Sequence, residues 1–251
     1  MGLTVAALGV AAALSTTPAH AQGTDELGAF GGLEHRGHHH SPQDWAFEVR
    51  FGQYPPRVDN AVDGTPYKTI FGSKKRWQGG AELDWQAFRI PKLLSVGPGL
   101  GLAYTSATGR APLASGTGLS AQDTTINILP ILLVGVLRLD VLADRTVIPL
   151  APYAKLGAGY AFWWSNDGGH PARDGNLAGR DTSYGYAAAL GVMLRLDWLD
   201  PSDAASADAS LGLNHSGLFI EWMHTDLSGF GSNNVMDVGS STWVAGLTLE
   251  L

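Results

Sequence analysis

The sequence contains no cysteine. Disulfides, thiolate metal sites, thiol nucleophiles and a lipid-modified N-terminal cysteine are therefore excluded. Charge is sparse as well. Asp, Glu, Lys and Arg make up 16% of the 251 residues, and a formal net charge of −7 disfavours nucleic acid as a partner. Beyond the N-terminal region, no segment reaches the ~18 consecutive apolar residues that a spanning helix needs. What is plentiful is glycine (33), tryptophan (8) and hydrophobic residues at 45%. Few charges and many tryptophans describe a chain whose surface does not meet water everywhere.

Leu3–Leu14 is a run of apolar and small residues broken by Thr4. Ala19 and Ala21 follow in a small-x-small pattern. Residues 1–21 are therefore expected to be a signal peptide, although no Lys or Arg precedes the run. Residues 22–43 are rich in Gly and His and lack periodicity, the composition of a flexible periplasmic leader. The block His35–His40 offers imidazoles, but adjacent histidines in a flexible segment define no ligand geometry, and no metal site is assigned there.

From Asp44 onward the dominant period is two. Trp45, Phe47, Val49 and Phe51 alternate with Glu48 and Arg50. Trp77, Leu83 and Trp85 alternate with Glu82 and Asp84. In "AKLGAGYAFWW", Leu156, Tyr160, Phe162 and Trp164 oppose Lys155, Gly157 and Gly159. Such alternation predicts eight strands, at about 44–54, 77–90, 95–106, 124–140, 148–164, 183–198, 213–226 and 241–251. Many are as long as the ~9–11 residues of a tilted membrane strand, or longer. Within 124–140, Ile126 and Ile128 are out of phase with Leu133, Leu137 and Leu139, which predicts a bulge near Pro130.

Long polar connections (54–76, 107–123, 165–182 and 227–240) alternate with short ones (91–94 and 141–147). A third turn, 199–212, is longer and could form a short helix or a loop. Aromatics gather at both strand ends. Trp77, Tyr104, Phe162, Trp164, Tyr184 and Trp243 lie at loop ends; Trp45, Phe47, Trp85, Phe88 and Trp198 lie at turn ends. Two girdles and alternating loop lengths predict an all-β, eight-stranded antiparallel up-and-down transmembrane barrel. Its site would be the outer membrane, with both termini in the periplasm. A soluble ligand-binding barrel is the alternative, but its polar faces would be richer in Lys and Glu.

An eight-stranded barrel has room for its own side chains and little more. The inward set is Glu48, Arg50, Glu82, Asp84, Lys155, Arg195, Asp197, Glu221 and Glu250, with Arg138 and Asp140. Both signs are present, so an ion-pair network filling the lumen is expected, and a narrow channel for ions or small solutes is the alternative. In that reading Gly157 and Gly159 keep the interior from overfilling. No catalytic residue is assigned. His215 and Ser216 fall on opposite strand faces, which disfavours a lipid-modifying enzyme. No cofactor is expected. Lys74, Lys75 and Arg76 precede Trp77 and are candidates for lipid phosphate contact.

Several blocks, "FEVRFGQYPPRVD", "PYKTIFG", "IPLAPYAKLGAGYAFWW", "GLNHSGLFIEW" and the closing "TWVAGLTLEL", resemble a family of uncharacterised outer-membrane β-barrel proteins described from myxobacteria. The resemblance covers nearly all of residues 44–251 and implies an outer-membrane barrel without an assigned activity. The C-terminal strand looks like a signal for barrel-assembly machinery, except that Leu251 stands where an aromatic is usual. The expected protein is a monomer among outer-membrane lipids, not an enzyme, with a structural or surface-interaction role carried by its long loops.

Overall fold

The computed structural model describes residues 44–60, 64–113, 118–146, 148–174, 177–197, 213–232 and 234–251. The expected signal peptide, leader and 199–212 segment lie outside these residues, as does Trp198. Eight long strands are present: β1 (Trp45–Tyr54), β2 (Arg76–Trp85), β3 (Leu94–Gly109), β4 (Thr124–Leu139), β5 (Leu150–Asp167), β6 (Arg180–Arg195), β7 (His215–Asp226) and β8 (Ser240–Glu250). Each pairs antiparallel with the next, and β8 pairs with β1 through Ala46↔Glu250 to Gly52↔Val244. The sheet is therefore closed, which satisfies every strand edge.

The two faces of the wall separate cleanly. Phe51, Leu100, Leu102, Leu133, Leu156, Leu190, Ile220 and Leu247 are all exposed on the outside. Side chains of opposite parity, such as Glu48, Val134, Lys155 and Glu221, are buried inside. An apolar band this continuous on the outer wall would be a large penalty in water, and it is the face that a membrane barrel turns to lipid.

The structure changes three details of the expected strand pattern. No bulge occurs near Pro130. β3 and β4 keep one register from Leu94↔Leu139 to Gly109↔Thr124, and only the pairs opposite Leu129 and Pro130 drop out of the ladder. Pro130 has no N–H to donate there. Ile126 and Ile128 point inward together with Leu132, Val134 and Val136. The apparent change of phase arises on the other face: the residues alternating with the inward apolar row are polar at the loop end (Thr125, Asn127) and apolar toward the turn end (Leu133, Leu137, Leu139). The expected strand 77–90 is broken at Gln86 and Ala87, where the Ala87 amide turns back to donate to the Trp85 carbonyl at 2.9 Å. A short strand, Phe88–Ile90, then pairs with β3. Of the two glycines thought to relieve the interior, Gly159 does so, since a Cβ there would stand 2.6 Å from Leu227 Cδ2. At Gly157 a Cβ would instead meet the Leu133 carbonyl of the adjoining strand at 2.0 Å, so that glycine permits close approach of β4 and β5.

The first long connection contains a helix among its described residues. It carries α1 (Pro66–Phe71), whose first-turn amides on Tyr67 and Lys68 donate to the Asp59 carboxylate at 2.7 and 3.1 Å. An acid at a helix start with Pro at the first position is a stabilising combination.

Candidate functional site: a bridged lumen beneath an apolar mouth

The lumen is crossed by side chains from strands on opposite sides of the barrel. Lys155 on β5 reaches β1 and β2, where its Nζ donates to Glu48 Oε2 at 2.8 Å and to Glu82. Arg50 on β1 donates to Glu82 and to Glu221 on β7. Tyr153 donates to Glu221 Oε2 at 3.0 Å. Nearer the turn end, Arg138 on β4 donates to Glu250 on β8. In the order of the closed sheet β5 stands four strands from β1, and β4 four strands from β8, so both bridges run across the full width of the lumen. Arg50, Arg138, Lys155 and the four glutamates are all almost completely buried. Charges without water must be paired, and here each cation meets at least one carboxylate.

Rings complete the layer. The Arg50 guanidinium lies 5.9 Å from the Phe219 ring centre, and Lys155 Nζ lies 5.1 Å from that of Tyr153. Asp84 stands apart. It is buried, yet neither of its carboxylate oxygens accepts a hydrogen bond among the described residues. Carboxylate oxygens of Glu48, Glu82 and Asp84 lie within 4.8 Å of one another, but the Lys155 ammonium already supplies a cation to the first two.

The turn end holds a separate set. Arg195 donates to Asp140 Oδ1 at 2.8 Å. Burial raises the Asp140 carboxyl, and Arg195 works against that. Asp197 was expected inside the central network; it sits instead at the rim, half-buried, 2.6 Å from His215 Nδ1. It also accepts the Ser216 amide at 3.1 Å. Partial burial opposes ionisation of Asp197, but the bonds from His215 and Ser216 prevail and hold its carboxyl below the usual value. Its folded value thus lies below its unfolded one. The stabilisation is full above the ordinary carboxylate range and disappears as pH falls through the depressed value. Asp197→Asn is expected to cost about 1 kcal/mol at pH 7, discounted for its exposure. Denaturation midpoints of variant and parent should converge in acid.

The outer aromatics form two belts. Trp45 and Trp85 stack at 6.2 Å between ring centres at the turn end, and Tyr104 and Trp164 pair at 6.3 Å at the loop end. Phe47, Trp77, Phe88, Phe162, Tyr184 and Trp243 are exposed on the same wall. Of the three cations before Trp77, Lys74 and Lys75 are exposed. Arg76 is turned back onto the protein, where it donates to the Phe71 carbonyl at 2.7 Å and the Thr108 carbonyl at 3.3 Å. These bonds tie α1 to β3 and leave Lys74 and Lys75 as the freely exposed cations of the run.

Above the charged layer the lumen is filled by an apolar cluster, with Gln78, Thr105, Ser183 and Thr225 also buried at this end. Tyr54, Ile128, Ala161, Leu227 and Val238 pack into one cluster with Val58, Phe71 and Ile126. The Tyr54 hydroxyl donates to the Val238 carbonyl, tying β1 to the fourth loop. Arg57 binds the same loop with Nε 3.3 Å from Asp237, and the end of β7 with Nη2 3.1 Å from the Thr225 carbonyl. Tyr153 and Trp163 are the residues that the sequence reading passed over. Both share the parity of Lys155, which was the available signal.

No protein-family model matches the chain, and a comparison with curated proteins gives no match. Among solved structures, OprG from Pseudomonas aeruginosa is 14% identical with a TM-score of 0.47, over 85% of this chain and 98% of that one. Ail of Yersinia pestis, in complex with the heparin analogue sucrose octasulfate, is 11% identical with a TM-score of 0.43, over 83% and 97%. AlkL in DMPC bilayers is 15% identical with a TM-score of 0.27, over 92% and 94%. All three are outer-membrane proteins (Ail is called an attachment invasion locus protein).

Proposed function

We propose that this protein is an outer-membrane barrel whose lumen is permanently closed and whose working surface is its long-loop end, with a structural or surface-interaction role. The observation that carries the reading is the pair of bridges, Lys155 to Glu48 and Arg138 to Glu250, spanning the lumen between opposite strands. A solute would have to break buried ion pairs and then part the Tyr54–Leu227–Val238 layer above them. The loop end faces outward in this reading, because long loops are extracellular and short turns periplasmic in such barrels. Monomeric insertion by the barrel-assembly machinery, with both termini in the periplasm, belongs to the same proposal. The catalytic alternative has little support. His215 is engaged by Asp197, and Ser216 contributes its backbone amide to the same carboxylate.

Purified protein in planar bilayers is expected to give no stepwise conductance at neutral pH, and its unboiled gel mobility should differ from the boiled form. Reproducible unitary steps that vanish when a luminal side chain is enlarged, for example in Gly159→Phe, would replace this reading with a channel.

A further inference from the structure

The apolar layer at the loop end encloses a cavity of about 470 Å³, lined chiefly by Val58, Ile70, Phe71, Ile126, Trp163 and Met236. That volume is within the range of small-molecule pockets, about 300–1,000 Å³. The cavity opens outward. Below, the layer formed by Tyr54, Ile128, Ala161 and Leu227 separates it from the ion pairs. It is a cup with a floor and not a stretch of channel. Its loop side is anchored among the described residues: Asp59 caps α1, Arg76 holds α1 to β3, and Arg57 fastens the first loop to the fourth.

Two features specify what would occupy it. The first is charge. Burial pushes the Tyr67 phenol in the wall above its ordinary value, with Arg76 acting against that, so at neutral pH it carries no charge. The charged group in the lining is Asp181, exposed at the rim of an acidic chain. An anion is therefore disfavoured. The second is a donor without an acceptor. The indole N–H of Trp163 is shielded from solvent and makes no hydrogen bond among the described residues. A buried donor left unpaired is costly. A small turn of this ring toward the cavity would expose the N–H to an occupant that carries an acceptor.

We infer that this cup is a binding site for a small neutral apolar molecule bearing one hydrogen-bond acceptor, a carbonyl in the simplest case, which the Trp163 indole receives. The site is separate from the closed lumen, and its occupation requires no passage through the barrel.

The probe is 2-nonanone, titrated by calorimetry into full-length protein in nanodiscs, with the heat of empty nanodiscs subtracted. The expected result is saturable one-to-one binding. In ¹⁵N-labelled protein, one indole resonance, identified by its absence in Trp163→Phe, should move on titration while the others stay in place. Trp163→Phe keeps the ring and loses the donor, and should bind about three- to tenfold more weakly. Val235→Trp, placed in the lining, should abolish binding; Ile70→Trp serves if that variant loses its heat-dependent mobility. Nonanoate should bind more weakly than the ketone. Heat no greater than that of empty nanodiscs, or undiminished binding in a folded filling variant, would overturn the site. Equal affinity in Trp163→Phe would overturn the assigned donor, and equal affinity for nonanoate the preference for a neutral ligand.

Discussion

Lys155→Met is expected to lower the stability of the barrel by about 3–5 kcal/mol, the usual cost of removing one partner from a buried ion pair. The reason lies less in the lost attraction than in what is left behind. Glu48 and Glu82 are both almost wholly buried and both bond to Lys155 Nζ. Methionine fills similar space; Glu82 keeps its bond from Arg50, but Glu48 loses its close cation. Glu48 keeps only longer approaches, 3.8 Å to Arg50 and 3.9 Å to Arg138. The check is urea unfolding in bilayers, followed by the fraction that retains unboiled gel mobility. The double variant Lys155→Met with Glu48→Gln should recover part of the loss, because it removes a stranded charge along with its partner. A loss under about 1 kcal/mol in the single variant would mean that water reaches this layer, since exposed pairs are worth no more than that.

The second large effect concerns the outer wall. Leu133→Arg is expected to cost about 2–4 kcal/mol, the penalty for a cation on the lipid face near the bilayer midplane. Leu133 stands close to the middle of β4 and is 60% exposed. In water such a site would accept arginine with little change. Leu113 is the control. It is 45% exposed, but it lies in the connection between β3 and β4. Leu113→Arg should stay within about 0.5 kcal/mol of the parent. Equal small effects at both positions would remove the lipid-facing assignment, whatever the shape of the barrel.

These two positions also show how far the sequence could be read. Leu133 is assigned to one wall face by its alternation with Val134, and Lys155 to the other by its alternation with Leu156. Neither assignment needs a neighbour. The pairing of Lys155 with Glu48 does, since the two are 107 residues apart in the chain. Arg138 and Glu250 are 112 apart. Asp197 has the parity of the inner set but lies just beyond β6, where the strand has ended and His215 is its partner. Arg76 follows two exposed lysines in a basic run, yet its side chain is spent on backbone carbonyls. A bulge near Pro130 follows from the sequence only if apolar residues face outward along the whole strand. Ile126 and Ile128 are apolar and face inward, which period alone does not distinguish from a change of register.

The sequence by itself determined the number of long strands, the two faces along most of their length and the aromatics toward their ends. Those follow from a period of two and from the side chains that lipid or a narrow interior accepts. Tertiary structure alone decided which charges meet across the lumen, where the charged filling gives way to an apolar one, and that Trp163 lines a cup at the mouth. Closure of the sheet is the physical reason. It brings together strands from opposite ends of the chain, and the short-range pattern along each strand carries no record of which strand stands opposite.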